Sequence, residues 1–262
     1  MQTQKLVTTI TAFIALVILF CSPVNGATDD EWEWQISPYF FLPAADVDST
    51  VDGSTVGIDM SFGDIFDDFD VFGFSIRTEA WKGKWGIVFD GIWTDLDGEF
   101  GPDDMIDVDI KDGIVDILAG YRIKIDASNG QGLIFDIMPG LRYHYMKQKI
   151  KVDIPLPPPF PTANVGGSED WVEPVIGGRV VWPFAEKWSL VVRGDMGGFG
   201  IGSASDLTWS ITGGVGFQFS EKWMLKLGYR YYDIDYSKGS GSNEFGLDGS
   251  LDGLYLGFAW TP

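Results

Sequence analysis

The 262-residue chain carries one histidine, one cysteine and 38 acidic residues against 18 Lys and Arg. Groups able to act as bases or nucleophiles near neutral pH are therefore few. His144 stands in an alternating run, Leu133 to Gln148, in which Asp136, Arg142 and Gln148 share its parity. On a strand those four side chains point to one face. A histidine there can serve as the base of a barrel hydrolase if a nucleophile or acid lies beside it. No serine motif supplies that partner, and the neighbouring charges are of both signs. The expectation is a hydrogen-bonded interior histidine, with no catalytic residue and no enzymatic activity.

A second candidate is acidic. Asp48, Thr50, Asp52, Gly53 and Asp59 follow the spacing of a calcium loop, with ligands at positions 1, 3 and 5, glycine at 6 and an acid at 12. Thr50 departs from that pattern, Asp59 is one methylene shorter than the usual glutamate, and no helix pair flanks the segment. A solvated acidic loop fits better, with no metal site and no cofactor. The formal charge of −20 excludes nucleic acid as a partner, since phosphate binding requires clustered Lys and Arg. Much of the acidity falls in segments read as loops. These form an anionic surface suited to divalent cations.

The amino terminus sets the compartment. Lys5, an apolar run from Ile10 to Phe20, and the small-residue stretch Pro23 to Ala27 follow the order of a secretory signal peptide. Cleavage is expected after Gly26, leaving residues 27–262 as one domain without cysteine. Cys21 raises the question of a lipid anchor, but Phe20 stands where a small residue is usual. No apolar run after the leader is long enough for a membrane-spanning helix.

The elements that would position these residues are strands. Phe184-Ala-Glu-Lys-Trp188 and Phe219-Ser-Glu-Lys-Trp223 each place a short charged turn between alternating apolar runs, the mark of antiparallel hairpins. Strands are expected at about 32–42, 71–82, 85–94, 110–125, 133–148, 171–184, 188–198, 207–219, 223–235 and 254–260. Loops are expected at 43–70, 95–109, 149–170 and 236–249, the third because of its five prolines. Short and long connections alternate, and the strand count of about ten (eight as the alternative) is even. That is the pattern of an all-β, antiparallel, up-and-down transmembrane barrel with short periplasmic turns and long extracellular loops. Trp188, Trp223, Phe219 and Trp260 are expected at the membrane interface. Arg77, Glu79, Asp116, Arg122, Asp136, Arg142, His144, Arg179, Arg193 and Arg230 are expected as a charge network in the lumen. Phe62, Ile65, Phe66 and Phe69 recur at helical spacing behind Ser61, predicting a short amphipathic loop helix.

Gly228-Tyr-Arg-Tyr-Tyr-Asp-Ile-Asp-Tyr236, with the two Glu-Lys-Trp turns, resembles hairpins of small OmpA-like outer-membrane β-barrels. Trp34 to Pro43 (WQISPYFFLP), Ser61 to Phe69 (SFGDIFDDF) and Gly83 to Asp90 (GKWGIVFD) are similar to a family of uncharacterised bacterial outer-membrane barrel proteins. The resemblance implies the fold and the bacterial outer membrane, and carries over no catalytic residues. The expected role is structural or surface-binding, through acidic extracellular loops, in a monomer whose partner is outer-membrane lipid. A narrow porin-like channel for small solutes is the runner-up. A hydrolase using His144 is third.

Overall fold

The computed structural model describes residues 31–61, 63, 69–100, 106–126, 132–152 and 163–262. The expected leader and most of the expected loop helix, with Phe62, Ile65 and Phe66, lie outside these residues; Phe69 opens a strand. Eleven strands form one antiparallel sheet: β1 (Glu33–Val51), β2 (Ser54–Met60), β3 (Phe69–Lys82), β4 (Trp85–Phe100), β5 (Ile106–Ile125), β6 (Leu133–Val152), β7 (Ala163–Ala185), β8 (Trp188–Gly198), β9 (Leu207–Gln218), β10 (Trp223–Lys238) and β11 (Phe245–Trp260). Pairing of β11 with β1 closes ten of them into a barrel. The extra strand, β2, pairs only with the outer half of β1, whose inner half pairs with β3.

Period-two alternation decides the two faces. Among the described residues, Phe74, Ile87, Phe89, Ile117, Ile137, Leu141, Ile176 and Leu227 are exposed on the outside, a wide apolar belt around the barrel. Pro38 is tolerated because it faces outward in a gap of the β1–β11 ladder, between the Ile36–Trp260 and Tyr39–Gly257 pairs. Trp85, Trp182, Trp188, Trp223 and Phe219 ring the end that carries the short turns; Trp260 lies 6.3 Å from Trp223 in the same ring. The opposite edge of the belt carries Trp93 stacked on Tyr145, and Trp209 against Tyr231. Trp85 to Trp93, and Trp223 to Tyr231, are eight residues each (93 minus 85; 231 minus 223). At ~3.4 Å per residue and a tilt of ~40° that is ~21 Å, close to the ~25 Å apolar band of outer-membrane barrels.

The strands are longer than the sequence reading has them. Segments 43–51, 54–60, 95–100, 106–109, 149–152, 163–170, 236–238 and 245–249, all expected as loops, are paired strand. They alternate as strands do, but with acidic residues outward: Leu96 and Val108 are buried while Asp97 and Asp107 are exposed. The calcium-loop spacing is likewise overturned. Asp52 and Gly53 form a two-residue hairpin turn between the paired Val51 and Ser54, with φ of 51° and 73°. Asp-Gly is the preferred pair for that left-handed turn. Asp48 and Asp59 lie on the two flanking strands, so the segment cannot wrap one ion as a calcium loop does. No cluster of three metal-ligating side chains occurs among the described residues.

Candidate functional site

The inward face of the membrane-spanning part holds ten groups that alternate in sign along one chain of contacts. Arg122 meets Asp136 at 2.8 Å, and Arg179 bridges Asp136 and Glu79. Arg77 joins Glu79 at 2.7 Å to Asp90 at 2.9 Å. Arg193 joins Asp90 at 2.8 Å to Asp116 at 3.1 Å. Arg142 ends the series on Asp116 and Asp195, both at 2.6 Å. The chain thus alternates five guanidiniums with five carboxylates, and Arg142 also lies 3.9 Å from a sixth carboxylate, Glu173. Desolvated charges are tolerated only when paired in this way. Asp90 is a member that the expected network omits. Asp90 escapes notice because its inward neighbours Val88 and Ile92 are apolar, which hides the parity.

Trp81 also points inward. Its indole N–H donates to Glu79 at 2.9 Å, and the Arg122 guanidinium lies 3.7 Å above its ring. Room for that ring depends on Gly86 and Gly120, which face each other across β4 and β5. A Cβ at either would stand 2.5 Å from the indole.

Toward the outer end the lumen changes character. His144 is 2% exposed, and its Nε2 lies 3.2 Å from Glu173. Glu173 is fully buried and accepts a hydrogen bond from Thr208. The His144 ring stacks on Trp171 at 4.6 Å, and Trp171 on Tyr236 at 3.8 Å, with Phe245 edge-on to Tyr236 at 6.3 Å. This aromatic column, drawn from β6, β7, β10 and β11, is surrounded by Val47, Val51, Ile114, Met146, Ile234 and Leu247 in one buried cluster. A second cluster joins Ile58 and Met60 of β2 to Leu96 and Val108. The outer third of the lumen is therefore packed like the core of a soluble protein. His144 sits at its base with no path to solvent through the column.

The inner end is open. A cavity of about 300 Å³ reaches from the exposed Glu33 and Thr261, at the short-turn end, up to Arg77, Asp90, Arg193 and Arg230. Beyond these, Arg142 and Asp195 are buried beneath the aromatic column.

The outer rim, outside the membrane, is acidic. Asp46, Asp48 and Asp59 are exposed on the β1–β2 hairpin, and Asp206, Asp235 and Asp248 near the ends of β9, β10 and β11. Partial burial and the charges of Asp248, Asp206 and Asp233 raise the Asp235 carboxyl above its ordinary value. A hydrogen bond from Lys238 to Glu169 spans the short β8 and β9 and holds that ammonium above the ordinary lysine value.

No protein-family model matches the chain, and no curated protein sequence does. Among solved structures it is similar to the outer membrane protease OmpT from Escherichia coli, at 10% identity and TM-score 0.48, over 91% of this chain and 99% of that one. It is also similar to the translocator domain of the autotransporter NalP from Neisseria meningitidis (11% identity, TM-score 0.40, 99% and 97% covered). A third is Ail, the attachment invasion locus protein of Yersinia pestis (14% identity, TM-score 0.36, 88% and 99% covered). Closure of ten antiparallel strands, an apolar exterior between two aromatic rings and a polar interior make this chain an integral bacterial outer-membrane β-barrel protein.

Proposed function

We propose that the barrel is a closed, non-enzymatic scaffold that holds an acidic rim above the outer leaflet, where its role is structural or surface-binding. The observation that carries this reading is the apolar plug: Trp171, Tyr232, Tyr236 and Phe245 are each at most 6% exposed and fill the outer lumen from wall to wall. A solute path would have to displace that packing. A non-enzymatic role is supported by the burial of His144 beside Glu173, Tyr232 and Trp171 with no entry for substrate. The outer surface favours cationic partners, divalent cations among them, because crowded carboxylates such as Asp235 gain from neutralisation. The barrel acts as a monomer, with lipid as its partner over the apolar belt.

A narrow channel is the second reading. It is favoured by the cavity, which already penetrates the inner half of the lumen. Reconstitution into planar bilayers decides between them. The closed scaffold gives no stable conductance steps, whereas reproducible long-lived steps would replace it with the channel.

A further inference from the structure

Two lumen cations stand outside the alternating chain of ten. Lys226 donates to Gln35 Oε1 at 2.7 Å and to Ser37 Oγ at 3.2 Å, both neutral. Arg230, 7% exposed, rests against the rings of Phe41 and Tyr232. Neither forms an ion pair with a carboxylate among the described residues, and both line the inner cavity. Among the described residues, Arg77 Nη2 and Arg230 Nε are buried without a hydrogen-bond partner. Glu173, which also lies 3.9 Å from Arg142, and Asp112 add two more carboxylates to the lumen, but neither these nor the five of the chain come within ion-pair distance of Lys226 or Arg230. Buried charge is costly without a counter-charge, so this chamber is built to hold one. Val181, Val191 and Met224 add an apolar stretch of wall between the cations and the mouth.

We infer that the periplasm-facing half of the lumen is a binding site for a small amphipathic organic anion. Its carboxylate or similar head meets Lys226 and Arg230, and its short apolar body lies against Val181, Val191 and Met224. The occupant enters and leaves from the periplasmic end, since the aromatic column closes the other. This site needs no passage through the barrel and stands apart from the acidic outer rim.

Hexanoate is a suitable probe because it partitions weakly into bilayers, and 1-hexanol and inorganic phosphate separate its two halves. Titration calorimetry on the full barrel in lipid nanodiscs should show saturable hexanoate binding, at least ten-fold tighter than hexanol or phosphate. Lys226→Met and Arg230→Met should each weaken it ten-fold or more. Val191→Trp, on the inward face of β8 between Ser189 and Arg193, fills the cavity, spares the charges and should abolish it. Heat-modifiable gel migration reports folding of each variant, and the comparison of three ligands on the unaltered protein stands without any of them. Absence of saturable hexanoate binding, equal binding of hexanol or phosphate, or full affinity in folded Lys226→Met would overturn the site.

Discussion

The two halves of this barrel obey opposite rules with the same strands. Within the membrane, β5 turns Ile117, Ala119 and Ile123 outward and Asp116 and Arg122 inward. Past the outer aromatic ring the same strand turns Asp107 and Lys111 outward and Val108, Ile110 and Ile114 inward. β4 makes the same exchange between Phe89 and Asp97 outside, and between Asp90 and Leu96 inside. The backbone pattern never changes; the solvent outside does. Where lipid ends, apolar side chains gain by turning inward, and the lumen fills with them. The membrane boundary therefore marks both the switch in sidedness and the floor of the plug.

Each half can be broken separately. The largest effect is expected from Arg142→Met, which takes from Asp116 and Asp195 the partner that each meets at 2.6 Å and leaves them to Arg193 alone; removal of one member of a buried pair costs about 3–5 kcal/mol. Urea unfolding in detergent measures it, and a loss under about 1 kcal/mol would mean that the ion-pair chain does not stabilise the inner half. Trp171→Ala opens a cavity in the plug and should cost about 3 kcal/mol. It should also admit brief conductance events absent from the unaltered protein. If it folds with unchanged stability, the aromatic column is not a packed core. Ile117→Lys places a charge on the lipid face near mid-membrane and should cost about 2–3 kcal/mol, while Asp97→Lys, on the wet exterior of β4, should stay within about 0.5 kcal/mol. Equal costs would erase the proposed boundary.

The smallest effect concerns the rim. Asp235 has a raised carboxyl, so its ionised form opposes folding. Stability from that group is lowest above its raised value and recovers as pH falls through it. Asp235→Asn should therefore raise the unfolding midpoint slightly at neutral pH and leave it unchanged in acid; a destabilising effect at neutral pH would contradict the crowding.

Much of the barrel was legible from alternation alone, because Phe74, Ile76 and Ala80 against Ser75, Arg77 and Glu79 can only be a two-faced strand. Arg77, Arg122, Arg142 and Arg179 could be assigned to the lumen by parity. What misled was the exchange of sidedness. Asp95 to Asp109 reads as a loop if acid is equated with turn, although Leu96, Val108 and Ile110 keep the period. Asp52-Gly53 is a hairpin signal that calcium spacing obscured. The plug could not be read, since Trp171 of β7 meets Tyr236 and Phe245 of the β10–β11 hairpin only across the lumen. Lys226 shares an alternating strand with Arg230, yet only the contacts reveal that neither meets a carboxylate.

Cysteine accessibility compares the two halves within one experiment. Ser189→Cys lies on the inner cavity wall, and Ser49→Cys lies in the outer lumen, where Ser49 donates to Gln148 at 2.6 Å. With the folded barrel in nanodiscs, open to reagent at both ends, a membrane-impermeant thiol reagent should label Ser189→Cys within minutes and leave Ser49→Cys unreacted until the protein is denatured. Equally rapid labelling at both positions would mean that the outer lumen is open, and would contradict the closed barrel.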